Sequence, residues 1–156
     1  MMAYFPIFID LNGKTVLVAG GGTVAARRIA GLLDFGCRVR VIAPGLCPEL
    51  QRRAEEGTVA WDRKEYETED LTAGDTVPFF VLAAATRQVN EKIVQDCRKR
   101  NIPVNDASRK ENCDFYFPGL ARKGDLVAGI TASGTSHTQA ARLSAAVRKI
   151  LEEETF

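Results

Sequence analysis

Apolar and polar positions follow two different periods over roughly the first 105 residues of the chain. A helix is predicted where apolar residues are spaced so that they lie on one helical face, as at Ala25, Ile29, Leu32 and Leu33. Similar stretches recur further along the chain. Short runs rich in β-branched residues predict strands at residues 15–19, 39–42, 58–61, 78–85 and 103–105. Strands that alternate with helices in this way predict an α/β fold built on a doubly wound parallel sheet.

The pattern changes after Asp106. Residues 115–117 and 126–130 predict two strands joined through residues 122–125, which is typical of an antiparallel hairpin. A final helix follows, with an apolar face over residues 140–151. So small a hairpin-and-helix segment rarely buries enough surface to fold alone. We therefore expect residues 114–156 to form a homodimer, and the alternative is a monomer in which the segment folds back on its own sheet.

Three consecutive glycines stand between the first predicted strand and the first predicted helix. The spacing Gly20-x-Gly22-x-x-Ala25 fits the Gly-x-Gly-x-x-Gly/Ala fingerprint of dinucleotide-binding proteins. Gly20 permits the tight turn, Gly22 lets a pyrophosphate approach the backbone, and Ala25 lets helix and strand pack closely. The free N–H groups at the helix start favour the anion. We predict a Rossmann-like NAD-binding domain over residues 1–113; a similar turn that binds no nucleotide is the alternative.

Ligands of open parallel sheets lie beyond the carboxyl ends of the strands. No acid follows the second strand to bind a ribose, and no arginine follows it to bind a 2′-phosphate. The missing arginine favours NAD over NADP, with backbone groups replacing the acid. The residues predicted to contact this cofactor are Gly20, Gly21, Gly22, Thr23, Val24, Ala43, Pro44, Gly45, Ala85 and Thr86.

Asp106 follows the fifth predicted strand and is the one acid at a strand end over this cleft. In that position a carboxylate can take a proton while hydride leaves to the nicotinamide. The alternative is a structural Asx turn with Ser108. Hydroxyl side chains at the start of the final helix can bind the carboxylates of a substrate, and the alternative is that they cap the helix. One arginine can bind the same carboxylates, and the alternative is that it is an ordinary solvated side chain. These candidates are Ser133, Thr135, Ser136 and Arg109.

Composition excludes several classes of protein. Lys and Arg number 21 against 20 for Asp and Glu, so no net field attracts nucleic acid or an anionic membrane. No apolar run approaches the ~20 residues of a membrane-spanning helix. The first residues lack the pattern of a signal peptide, so we expect a cytoplasmic protein. The four cysteines form no Cys-x-x-Cys pair and there is one histidine, so we expect free thiols and no metal site.

Taken in order, these motifs resemble the dehydrogenase domain of siroheme synthase, the precorrin-2 dehydrogenase and sirohydrochlorin ferrochelatase family. The resemblance implies NAD-dependent conversion of precorrin-2, a polycarboxylate tetrapyrrole, to sirohydrochlorin by a homodimer, with the key aspartate at Asp106. In some relatives the same site also inserts ferrous iron, which stays open here. An NAD-sensing or tetrapyrrole-binding module without turnover is the alternative. The matching segments are residues 6–8, 18–25, 41–44, 84–90, 104–107, 115–118 and 130–136.

Overall fold

The computed structural model describes residues 4–74, 76–133 and 135–153. Their contacts divide the chain into two compact units. One is Asp10–Tyr116, and the other combines the amino-terminal residues up to Ile9 with the chain from Phe117 onward. The expected division into a domain over 1–113 and a dimerisation segment over 114–156 stays a prediction.

The first unit is built around a parallel sheet of five strands in the order β3-β2-β1-β4-β5. This order, with helices between the strands, confirms the Rossmann-like prediction. Short 3₁₀ turns at Thr68–Leu71 and Lys110–Asn112 interrupt two of the connections. The regular elements are β1 (Thr15–Ala19), α1 (Thr23–Leu33), β2 (Arg38–Ile42), α2 (Pro48–Glu55), β3 (Ala60–Asp62), β4 (Phe80–Ala83), α3 (Arg87–Lys99) and β5 (Val104–Asp106).

The core of this unit lies around the central strands. Every residue of β4 is buried, which is why its sequence is a continuous apolar run rather than an alternation. The apolar face of α3 supplies Ile93, Val94 and Cys97 to the same cluster. The core therefore fixes the central strands, and with them the loops at their carboxyl ends.

The second unit holds an antiparallel hairpin and a helix. Strands β6 (Gly119–Lys123) and β7 (Leu126–Ile130) pair through a tight turn at Gly124, whose φ of +57° suits glycine. Helix α4 (His137–Glu153) packs mainly against β6. No helix in the described part of the chain is long and apolar enough to span a membrane.

The position of the first hairpin strand corrects the sequence prediction. Residues 115–117 form no strand, and the strand is instead Gly119–Lys123, which partly overlaps the predicted connection. The Phe115 ring packs on the Phe80 ring, with centroids 4.7 Å apart. The Phe115 carbonyl oxygen accepts a hydrogen bond from Asn105 Nδ2 at 2.8 Å. Phe115 thus packs on a strand of the first unit instead of pairing with β7.

Smaller shifts occur at three other strands. The fourth strand is Phe80–Ala83 rather than residues 78–85. The third strand begins at Ala60 rather than Thr58, because the Thr58 N–H and hydroxyl both donate to the Arg53 carbonyl and close α2. The fifth strand extends through Asp106, so this residue ends the strand rather than following it. Boundary shifts of this size are usual where hydrogen bonds, not hydrophobic pattern, decide the end.

Candidate active site

The turn after β1 is held tightly by two neighbouring loops. Gly20 has a φ of +119°, and a Cβ on it would overlap the Ala84 carbonyl. A Cβ on Gly21 would overlap the Gly45 carbonyl oxygen. The Gly21 carbonyl also accepts a hydrogen bond from the Cys47 N–H at 2.7 Å. These two glycines are therefore required by the close approach of the protein backbone.

Gly22 has different surroundings, because a Cβ built on it meets no protein atom within 4 Å. It is the N-cap residue of α1, and no side chain in the described part of the chain makes a cap hydrogen bond to this helix. Thr23 and Val24 are exposed on the first turn, whereas Ala25 is fully buried. The helix start thus presents N–H groups and open space, an arrangement suited to an anion.

A cleft of about 580 Å³ opens over this turn at the carboxyl ends of β1, β2 and β4. That volume lies in the range of small-molecule and cofactor sites, about 300–1,000 Å³. Of the predicted cofactor contacts, all but Thr23 and Val24 line it. The lining residues that the sequence did not predict are Ala19, Ile42, Leu46, Cys47, Glu65, Tyr66, Ala84 and Val89.

A buried asparagine connects the wall of this cleft to the interior. Asn90 is 1% exposed; its Oδ1 accepts from the Ala85 N–H at 2.9 Å, and its Nδ2 donates to Asp106 Oδ1 at 3.2 Å. Thr86, predicted as a cofactor contact, also caps α3 by accepting from the Val89 N–H at 3.4 Å. The sequence places Asn90 in a motif but does not indicate this role, because Asp106 lies 16 residues further along the chain.

The Asp106 carboxylate is 3% exposed and is surrounded by donors. Oδ1 accepts from the Ser108 N–H at 2.8 Å, the Ser108 hydroxyl at 2.6 Å and Asn90, while Oδ2 accepts from Asn112 Nδ2 at 2.8 Å. Burial alone would raise the pKa of Asp106, but these hydrogen bonds outweigh burial and hold the pKa below its ordinary value. The Asx turn with Ser108 is thus present. Asp106 is not among the residues that line the cleft, and Asn90 connects its carboxylate to the lining residue Ala85.

Arg109 lies in the loop after Asp106, within the same unit. Its guanidinium pairs with Glu91 of α3, Nη1 to Oε1 at 3.3 Å, and its side chain is 40% exposed. An ion pair this exposed contributes little to stability. The guanidinium is therefore available to an anionic ligand, and its role in substrate binding stays a prediction.

The other predicted substrate contacts belong to the second unit and make local hydrogen bonds. Ser136 Oγ accepts from the Gln139 N–H at 3.2 Å, which is a helix cap for α4. The Thr135 hydroxyl donates to the Ala132 carbonyl at 2.6 Å. Ser133 has a left-handed backbone, with φ of +52°. The capping alternative is thus observed for Ser136, and the substrate role of all three residues stays a prediction.

Comparison with known proteins identifies the family of this chain. A model of an NAD(P)-binding family matches residues 7–119. A multifunctional siroheme biosynthesis protein of Ruminiclostridium josui is 36% identical over 148 residues, covering 94% of this chain and 28% of the relative. A solved structure, SirC, a precorrin-2 dehydrogenase, is 30% identical with a TM-score of 0.74, covering 94% of this chain and 71% of SirC. The chain belongs to the precorrin-2 dehydrogenase family.

This family is also represented among longer proteins. Siroheme synthase of Photorhabdus laumondii subsp. laumondii is 36% identical over 133 residues, which are 85% of this chain and 28% of the relative. The chain thus spans under a third of the length of the curated relatives it matches. Family membership supports a nicotinamide cofactor for this chain, and the residues that contact the cofactor stay a prediction.

Proposed function

We propose that this chain is an NAD-dependent precorrin-2 dehydrogenase. The observation that carries the proposal is the open cradle at Gly22 beneath a cleft of about 580 Å³, in a chain that matches SirC over 94% of its length. Precorrin-2 loses a hydride and a proton and becomes sirohydrochlorin. The same chemistry requires one molecule of NAD for each molecule of precorrin-2.

The residues of the cleft fit the cofactor. The backbone at Gly22 and the start of α1 would hold the pyrophosphate, and the loop Ala43–Gly45 would hold the adenosine ribose through backbone groups. Ala85 and Thr86, at the end of β4, stand on the opposite side, where we place the nicotinamide. Once bound, the nicotinamide ring supplies the hydride acceptor. NAD is favoured over NADP because no lysine or arginine is among the residues lining the cleft.

Asp106 is the proposed proton acceptor. Its lowered pKa keeps it ionised at neutral pH, so that it is ready to accept a proton although it is a weak base. Oδ2 is the oxygen we assign to this step, since from the described residues it accepts one hydrogen bond against three at Oδ1. Asn90 positions the carboxylate relative to the Ala85 end of the cleft.

The carboxylates of precorrin-2 need cationic and hydrogen-bonding partners. We assign Arg109 to this role because its guanidinium lies in the loop after Asp106 and makes an exposed ion pair with Glu91. The hydroxyls of Ser133, Thr135 and Ser136 are assigned to the same substrate, and a homodimer built from residues 114–156 would complete the site. A guanidinium binds carboxylates in a paired, planar geometry, which is why arginine suits this task.

The test follows precorrin-2 and NAD anaerobically by absorbance, with wild type, Asp106→Asn and the exposed control Asp125→Asn. We expect Asp106→Asn to lower kcat by about 10²-fold or more, as for loss of a general base, with the dissociation constant for NAD unchanged. Asp125→Asn should match wild type. Equal rates in all three would remove Asp106 from the mechanism, and NAD binding without turnover would favour a non-catalytic NAD-sensing module.

A further inference from the structure

One acidic side chain lines the cleft and has no role in the proposed function. We propose that Glu65 selects NAD over NADP, by accepting hydrogen bonds from the adenosine ribose and repelling a 2′-phosphate. The inference rests on the proposed function, because it requires a nicotinamide cofactor in this cleft.

The strand order places Glu65 on the adenosine side. The pyrophosphate cradle follows β1 at the centre of the sheet, and β2 and β3 lie to one side of it, with β4 and β5 on the other. In this fold the adenosine ribose lies beyond the end of β2. Glu65 comes three residues after β3 ends at Asp62 and lines the same cleft as Ala43–Gly45. The fold thus brings an acid to the ribose from β3, where the end of β2 has none.

The neighbours of Glu65 on both sides make side-chain contacts within the first unit. Tyr66 is 8% exposed, and its hydroxyl donates to Asp96 Oδ2 of α3 at 3.2 Å. On the other side, Lys64 Nζ pairs with Asp70 Oδ1 at 2.8 Å. Glu65 itself makes no hydrogen bond or ion pair with any residue that the structure describes. Its carboxylate is therefore free to meet a ligand at a fixed place on the cleft wall.

The charge at this position decides between the two cofactors. A carboxylate accepts hydrogen bonds from ribose hydroxyls, whereas a 2′-phosphate brings like charge close to it. No lysine or arginine is among the lining residues to offset that repulsion. Lys92, a cation of this region, lies over the Tyr66 ring at 5.4 Å from its centroid. The cleft therefore selects NAD over NADP by repelling the 2′-phosphate as well as by binding the ribose hydroxyls.

Calorimetric titration of the purified chain tests this assignment without turnover. The ligands are NAD and NADP, with AMP and adenosine 2′,5′-bisphosphate as probes of the adenosine end alone. The proteins are wild type, Glu65→Gln and Glu69→Gln, the last being an exposed glutamate outside the cleft. Circular dichroism confirms that each variant is folded.

We expect wild type to prefer NAD, and Glu65→Gln to reduce that preference about tenfold, mainly through tighter binding of NADP. The bisphosphate should gain affinity in the same variant, and Glu69→Gln should behave as wild type. Added salt should reduce the preference of wild type for NAD over NADP, because salt screens the repulsion between Glu65 and the 2′-phosphate.

A preference that is the same in wild type and Glu65→Gln overturns the inference while leaving the proposed function intact. A wild type that prefers NADP overturns the inference and also the NAD dependence in the proposed function, while leaving a nicotinamide cofactor in the cleft. If wild type binds neither dinucleotide, the inference and the proposed function fall together. These outcomes separate the role of one side chain from the existence of the site.

Discussion

At the scale of single residues, the three glycines of the turn differ in what surrounds them. Gly20 and Gly21 face backbone atoms of the loops after β4 and β2, so their missing side chains serve the fold. Gly22 faces open space at the start of α1. The fingerprint spacing predicts all of these positions, but only the structure separates those that the fold needs from the one that a ligand needs.

Two substitutions should separate these roles. Gly20→Ala places a Cβ at φ +119° against the Ala84 carbonyl, and we expect it to lower the free energy of unfolding by about 1–3 kcal/mol or more. Gly22→Ala meets no protein atom, so its stability should match wild type while its affinity for NAD falls about tenfold or more. Urea denaturation and calorimetric titration measure both. Unchanged NAD affinity in Gly22→Ala would argue against a pyrophosphate at this residue.

The buried Asp106 carboxylate should also leave a signature in acid. Its pKa in the folded chain is lowered, so its contribution to stability is fully present above the ordinary aspartate pKa of about 3.9 and is lost as pH falls through the folded value. We expect the stability difference between wild type and Asp106→Asn to be largest above about pH 5 and to shrink below about pH 4. Urea denaturation across this range measures it. A difference that grows in acid would mean that the carboxylate is not held as an anion.

At the scale of helices and strands, the predictions were confirmed where the spacing of hydrophobic residues determines the structure. The buried run of β4 and the amphipathic face of α3 are properties of the sequence itself. The strand predicted at residues 115–117 was wrong because an aromatic run has the same pattern whether it pairs in a sheet or packs on a core, as Phe115 does on Phe80. Asn90 and Glu65 were missed for a related reason. Their roles depend on neighbours brought close by the fold, and no local pattern encodes that.

The contact between the hairpin and α4 offers a test at this scale. A Cβ on Gly119 of β6 would overlap the Ser144 hydroxyl oxygen, and Ser144 is a buried residue of α4. We expect Gly119→Ala to destabilise this unit by about 1–3 kcal/mol, seen as faster amide hydrogen exchange in β6 and α4. Gly129→Ala on β7 is the control, because its Cβ would lie 3.4 Å from Pro118, an ordinary contact. Equal exchange in the two variants would mean that this packing is loose.

At the scale of the whole molecule, the predicted homodimer depends on the apolar face of α4. Leu143 and Ile150 are 54% and 55% exposed, although both lie on the face that the sequence predicts to be covered. Exposed apolar side chains on one helix face are typical of an interface. We expect wild type to be a dimer in sedimentation velocity, and Leu143→Glu with Ile150→Glu to give a monomer. Val77→Glu, which changes an exposed apolar residue of the other unit, should remain a dimer. A wild type that stays monomeric at all concentrations would favour the folded-back alternative.

The most direct test of the central claim is the stoichiometry of the reaction. Purified chain is mixed anaerobically with precorrin-2 and a limiting, known amount of NAD, and NADH and sirohydrochlorin are both quantified. We predict that they form in equal amounts until NAD is exhausted, because each precorrin-2 yields one hydride to one nicotinamide. Sirohydrochlorin that forms without NADH, or bound NAD that yields no sirohydrochlorin, would contradict the claim that the cradle at Gly22 serves this oxidation.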